Sequence, residues 1–282
     1  MIIDFHTHTF PDKSSEKIVN HLAHTGCIPP HTDGSAIGLF SSMKEADIDY
    51  SVNLPVMTKP EQVEKVNSSL IMQKEYFLDM KIITFGGMHP DYVNYKEELL
   101  RLKQAGIPGI KLHPAYQNVD LDDIRMMRII DEASSQGLIT LVHAGIDIGI
   151  YDHNYSSVAH ILKLLKEVAP KKLVLAHMGN WGCWKEVESD LAGAPVYFDT
   201  AFSYGPITPL PECSKAPYLP YNLHPDDFVR LARKHGTDKV LFGTDSPWEG
   251  QTDYVKRISH MTFTKKELEQ ILSENAKNLL TI

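Results

Sequence analysis

Short apolar runs alternate with amphipathic stretches along the chain. The runs at 1–5, 50–54, 82–86, 109–112, 138–142, 173–176, 196–198 and 239–242 read as strands. Between them, 61–79, 97–104, 122–136, 157–168 and 226–235 carry apolar positions at helical spacing. So does 264–280, through Leu268, Ile271, Leu272 and Ala276. Gly106 and Gly137 stand where a left-handed residue closes a helix, and Pro60 and Pro225 stand near helix starts. Asp91 is expected to cap the helix that follows it. Strict alternation of strands and helices predicts a parallel sheet. Eight repeats predict an α/β fold closed into a (β/α)8 TIM barrel, with residues 1–282 as a single domain. No GxGxxG follows a strand, so a dinucleotide fold gains no support. The segment 203–222 contains five prolines and is too long for a plain connector, so it is expected to cover a pocket.

Four histidines and two aspartates stand at or just after the predicted strand ends. The first strand runs into Asp4-Phe5-His6-Thr7-His8. Alternation puts His6 and His8 on one face, where two imidazoles can chelate a divalent ion. Later strands end in Val142-His143-Ala144-Gly145, Ala176-His177-Met178-Gly179 and Phe242-Gly243-Thr244-Asp245. Asp199 ends the seventh strand and could orient a ligating histidine. In a barrel these ends converge on the face that carries active sites. Any one of these histidines, taken alone, reads as a local cap; the set reads as a metal centre.

The order of these motifs resembles the amidohydrolase superfamily, and within it the family-2 branch that includes aminocarboxymuconate-semialdehyde decarboxylase. The resemblance rests on IIDFHTH, GIKLHP, VHAG, AHMG, FGTDSPW and the closing ENAKNLL, which span nearly the whole chain. It implies that His6, His8, His143 and Asp245 bind one divalent metal ion, usually zinc, with manganese or another divalent ion as alternatives. It implies that His177 sits beside the ion. Asp245 and His177 are then the catalytic residues: Asp245 exchanges a proton and His177 stabilises negative charge. Relatives are often dimers or larger, which implies a homo-oligomer. Lys111 and His113 lie two apart on the fourth strand, and both are expected to meet substrate. Lys111 is alternatively a carboxylated bridge between two metals. His89, ending the third strand, is assigned either to the pocket wall or to a structural role.

Composition narrows the partner class. Against 28 Lys+Arg stand 36 Asp+Glu, for a net charge of −8. No basic stripe is visible, so nucleic acid is disfavoured and a small-molecule substrate is expected. No apolar run is long enough to span a bilayer, and no secretory leader is seen, so the expected compartment is the cytoplasm. The three cysteines, an odd number without CxxC spacing, argue against disulfides and against a cysteine zinc module. His21, His24, Cys27 and His31 do not match a zinc finger. The aromatic pairs Trp181/Trp184 and Tyr218/Tyr221 are read first as packing residues.

The leading expectation is hydrolysis of a small organic molecule by a metal-activated water. The first rival is a non-oxidative decarboxylase on the same barrel. A phosphoesterase or nuclease would need more metals and a basic pocket. A barrel kept only for binding would not need the full ligand set.

Overall fold

The computed structural model describes residues 1–213 and 222–282. The expected strands all form, as β1 (Ile3–Thr7), β2 (Tyr50–Asn53), β3 (Ile82–Thr84), β4 (Gly86–Gly87), β5 (Gly109–Leu112), β6 (Ile139–Val142), β7 (Leu173–Leu175), β8 (Tyr197–Asp199) and β9 (Val240–Leu241). β3 and β4 are one strand interrupted at Phe85, which explains nine segments where eight were expected. All pairings are parallel, in the orders β1-β2-β3 and β4-β5-β6-β7-β8-β9. The ring closes beyond β9, where Phe5 N–H donates to Phe242 O at 2.7 Å and Asp245 N–H to His6 O at 2.8 Å. The result is a (β/α)8 barrel.

Two apolar layers follow from strand alternation. Phe5, Val52, Phe85, Leu141, Val174 and Leu241 fill the barrel interior. Ile110, Leu112, Val142, Leu175, Phe198 and Phe242 face the helices. Burying a side chain of this size contributes about 1.5–3 kcal/mol each.

Helix ends depart from expectation in understandable ways. The stretch 61–79 breaks at Gln73 into Gln62–Met72 and Lys74–Asp79. Asn94, not Asp91, precedes Tyr95–Gln104. Gly106 and Gly137 adopt φ of +73° and +79°, as a closing glycine should. The last helix starts on a Thr264–Glu267 capping box and passes through a π turn at Gln270–Glu274. No helix among the described residues is long and apolar enough to cross a membrane.

The structure corrects the reading of the cysteines. Cys27 and Cys213 form a disulfide across 186 residues of sequence, and Cys183 is free. An odd count left one thiol over, but it did not forbid a pair. The bond fastens the end of the helix Ser15–Gly26 to the short turn Pro211–Cys213. Leu210 N–H also donates to Cys27 O at 2.9 Å. Of the expected pocket cover, 203–213 and 222 are described, while 214–221, with Tyr218 and Tyr221, lie outside the described residues.

Candidate metal centre

A bulge on β1 aims the two leading histidines. Asp4 pairs with Ser51 but Thr7 pairs with Asn53, so β1 carries one extra residue there. The extra residue reverses the alternation. Ile3 and Phe5 therefore point into the barrel core, while His6 and His8 line the cavity above it. Simple alternation put His6 and His8 on one face; the bulge puts that face inward. Asp4, fully buried, accepts from Thr244 N (2.9 Å), Thr244 Oγ1 (2.6 Å) and Gln251 Nε2 (2.8 Å). These bonds tie β1 to the loop that carries Asp245.

Hydrogen-bond partners fix which nitrogen of each imidazole keeps its lone pair. A carbonyl oxygen or a carboxylate can only accept, so the nitrogen facing it bears the proton. His8 Nδ1 faces Leu54 O at 2.7 Å, and His6 Nδ1 faces Asp199 Oδ2 at 2.8 Å. Both residues thus turn Nε2 towards the cavity, where His6 Nε2 accepts from Lys111 Nζ at 3.2 Å and His8 Nε2 meets Asp245. His177 Nδ1 donates to Ala201 O at 2.8 Å, which leaves its Nε2 to accept from His143 Nδ1 at 3.0 Å. His143 in turn presents a bare Nε2, which is buried and has no hydrogen-bond partner.

The Nε2 atoms of His6 and His8 converge on one carboxylate oxygen. Asp245 Oδ1 lies 3.1 Å from His8 Nε2 and 3.4 Å from His6 Nε2. With both Nδ1 atoms committed to other acceptors, the two Nε2 atoms and Oδ1 form a three-atom set that could hold a cation. Zinc bonds of about 2.0–2.1 Å in a tetrahedron separate neighbouring donors by about 3.3 Å. The observed spacings fit. Burial, with Lys111 beside it, holds His6 well below its usual pKa, so its lone pair is available. Burial works against ionisation of Asp245, but His6, His8 and His177 outweigh it and keep the carboxyl below its usual range.

Asp199 organises the rear of this group. Its Oδ2 takes the His6 proton, while Oδ1 accepts from His177 N (2.9 Å) and Ala201 N (3.0 Å). His177 and Met178 have φ of +60° and +53°, an uncommon conformation for residues with a β-carbon. Asp199 and the indole of Trp184, which donates to His177 O at 3.0 Å, hold that turn.

His143 does not join His6, His8 and Asp245 in one tight group. Its ligand atom falls beside His113 and Asp147 instead. Asp147 Oδ2 stands 3.9 Å from His143 Nε2 and 3.6 Å from His113 Nε2, and the two rings stack at 4.1 Å. These three residues resemble a second ion site, but His113 cannot serve it. Its Nδ1 accepts from Tyr116 N–H at 3.3 Å, so its Nε2 carries the proton and points that proton at Asp147. A third group, Asp120, Asp122 and His160, lies nearer the surface and already has His153 at 2.7 Å and Lys163 at 2.9 Å as partners.

Lys111 stands on the cavity floor, fully buried, with Nζ 3.2 Å from His6 Nε2. Burial lowers its pKa to about 8. The cavity above holds about 520 Å³, the scale of a small-molecule site. Its polar base comprises His6, His8, Lys111, His143, His177 and Asp245. Phe10, Ile18, Leu22, Ile28, Trp181 and Phe202 make the upper walls apolar. No arginine lines it among the described residues. His113 lines the cavity, as expected. His89 does not: it is buried elsewhere, with Nδ1 accepting from Asp91 N–H at 3.2 Å, so its pocket assignment is withdrawn. Asp147 lines the cavity and was missed, although it sits in the loop after β6, where barrel enzymes place functional residues. Of the tryptophan pair, Trp181 lines the cavity and Trp184 supports His177 from behind.

The amidohydrolase family profile matches residues 3–282. No curated protein matches the chain in sequence. Among solved structures, a TIM-barrel protein from Bordetella bronchiseptica superposes with a TM-score of 0.76 at 18% identity, covering 99% of this chain and 98% of that one. A dihydroxybenzoic acid decarboxylase from Polaromonas, with bound manganese and 2-nitroresorcinol, gives 0.71 at 13% identity, over 99% and 96%. A 5-carboxyvanillate decarboxylase from Novosphingobium aromaticivorans, also with manganese, gives 0.68 at 11% identity, over 100% and 97%. At these identities the structures speak for the fold, and the profile speaks for the family. The chain belongs to the family-2 amidohydrolases, a group of metal-dependent hydrolases and decarboxylases.

Proposed function

We propose that the chain is a metal-dependent hydrolase of a small, largely apolar organic molecule. The observation that carries this reading is the convergence of the Nε2 atoms of His6 and His8 on Asp245 Oδ1. His6, His8 and Asp245 would hold one divalent ion, zinc or manganese. His143, with its unpartnered buried Nε2, would approach as a further ligand. Such an ion lowers the pKa of a coordinated water towards neutrality and polarises a substrate oxygen.

The chain's own groups supply the rest. Asp245, ionised and beside the reacting centre, takes a proton and later returns it to the leaving group. His177 carries its proton on Nδ1, bonded to Ala201 O, and offers Nε2 towards His143. That keeps His143 in a ligating tautomer, which supports a positioning role for His177 beside the catalytic role expected from the sequence. Lys111 offers its buried ammonium on the floor to a substrate oxyanion, and the apolar walls exclude water around it.

A second reading, non-oxidative decarboxylation, is favoured by Lys111. A buried lysine beside the metal ligands suits a carboxylate, and two of the structural relatives are named as decarboxylases. Metal-loaded protein is to be screened against esters, amides, lactones and aromatic carboxylates, following carbon dioxide and hydrolytic products separately. Cleavage with incorporation of solvent oxygen supports the hydrolase. Stoichiometric carbon dioxide without it transfers the assignment to the second reading.

A further inference from the structure

Asp147 has no part in the metal centre or in the chemistry proposed above, yet it lines the same cavity and is 6% exposed. Its two oxygens do different things. Oδ1 accepts from Gly149 N–H at 2.8 Å and fixes the loop after β6. Oδ2 lies 3.6 Å from His113 Nε2, beyond hydrogen-bond reach, although that nitrogen bears a proton. On its other side stands His143 Nε2, which has only a lone pair to show. The surrounding wall is apolar, with Ile146, Ile148 and Trp181 lining it. Oδ2 borders the cavity, and among the described residues no hydrogen bond from the protein is made to it, so a donor on a ligand in the cavity can reach it.

From this geometry we infer that Asp147 is the specificity residue for a hydrogen-bond donor on the substrate, a hydroxyl or a protonated amine. This inference rests on the cavity being the substrate site, as proposed above. The substrate then has two poles joined by an apolar body. An oxygen at one end meets the floor at Lys111 and the metal ligands, and a donor group elsewhere on the body meets Asp147. The phenol of Tyr116 also lines this part of the wall.

The test uses full-length protein loaded with Mn2+ and titrated by calorimetry. The probes are benzoate, 3- and 4-hydroxybenzoate, and 3- and 4-(aminomethyl)benzoate. At least one donor-bearing probe is expected to bind about 10-fold or more tightly than benzoate, since a hydrogen bond to a charged group is worth about 1.5–3 kcal/mol. In D147A that advantage falls to within about threefold of benzoate measured on the same variant. D147N keeps an oxygen for Gly149 N–H and so preserves the loop; it is expected to retain part of a hydroxyl preference and lose an ammonium preference. Benzoate binding with no donor advantage in the wild type, or an advantage that survives in both variants, overturns the inference and leaves the proposed function standing. Failure of every probe, benzoate included, overturns the inference, while the proposed function is judged separately by the turnover screen.

Discussion

Asp199 Oδ2 accepts the Nδ1 proton of His6 at 2.8 Å, and through that bond it decides which nitrogen of His6 faces the cavity. Both groups are buried, so neither is exchanged for water. Carboxylate support of a ligating imidazole typically changes metal affinity about 10–100-fold when removed. Asp199→Asn is therefore expected to weaken metal binding by that factor, as read from competition with a chelating dye. Because Asp199 also holds the left-handed turn at His177, Asp199→Ala should lose stability as well. A D199N protein with unaltered affinity would show that the orientation of His6 is set elsewhere.

A Lys111 variant is expected to separate binding of substrate from binding of metal. Among the described residues Lys111 is the one lysine lining the cavity, and no arginine lines it. Lys111→Met should leave the metal stoichiometry unchanged and lower kcat/KM by about 10²-fold. The basis is a charge-assisted bond of about 1.5–3 kcal/mol in a site shielded from water. Loss of metal in this variant would instead place Lys111 among the groups that build the ion site. Mass spectrometry of intact protein, showing no added carboxylate on Lys111, checks the same point independently.

The disulfide gives a prediction with an unambiguous readout. Peptide mapping without reductant should recover Cys27 joined to Cys213, with Cys183 alkylated as a free thiol. Closing a loop this long stabilises a fold by about 2–4 kcal/mol in typical cases. Cys213→Ser is expected to lower the unfolding midpoint accordingly. Three free thiols in the native, oxidised protein would contradict the pairing.

His235 sets an acid limit that lies outside the cavity. Its Nε2–H donates to Val196 O at 3.0 Å, its Nδ1 accepts from Gly193 N–H at 3.2 Å, and its ring stacks on Phe198 at 3.6 Å. Burial pushes its pKa down from 6.5 to about 4, because protonation would strand a charge and destroy the bond from Gly193. Between those values the unfolded chain binds the proton and the folded chain does not. This contribution to stability is thus complete above pH 6.5 and is lost as pH falls towards 4. At about 1.4 kcal/mol per pH unit it amounts to at most about 3 kcal/mol. In urea titrations at pH 7 and pH 4, His235→Gln should lose less stability than the wild type by up to that amount. Equal losses would show that His235 already titrates normally.

Much of this architecture was legible in the sequence because barrels write it there. Each strand is a short apolar run, and most functional side chains stand at or just beyond its C-terminal end, as in Leu141-Val142-His143 and Phe242-Gly243-Thr244-Asp245. What was not legible depended on contacts between distant segments. The β1 bulge is a mismatch of register with β2, and neither strand shows it alone. The role of Asp4 emerges only against Thr244 and Gln251, some 240 residues away. His89 ends a strand just as His143 does, but its ring turns to Asp91 and leaves the cavity. Asp147 lay in a loop, where spacing carries no direction. The disulfide joins residues whose proximity only the folded chain creates.

The central claim is the position of the cation, and anomalous diffraction from crystals soaked in Mn2+ or Zn2+ tests it most directly. The account predicts one strong peak per chain within bonding distance of His6 Nε2, His8 Nε2 and Asp245 Oδ1. A peak confined to Asp120, Asp122 and His160, or none at all at saturating metal, would contradict it.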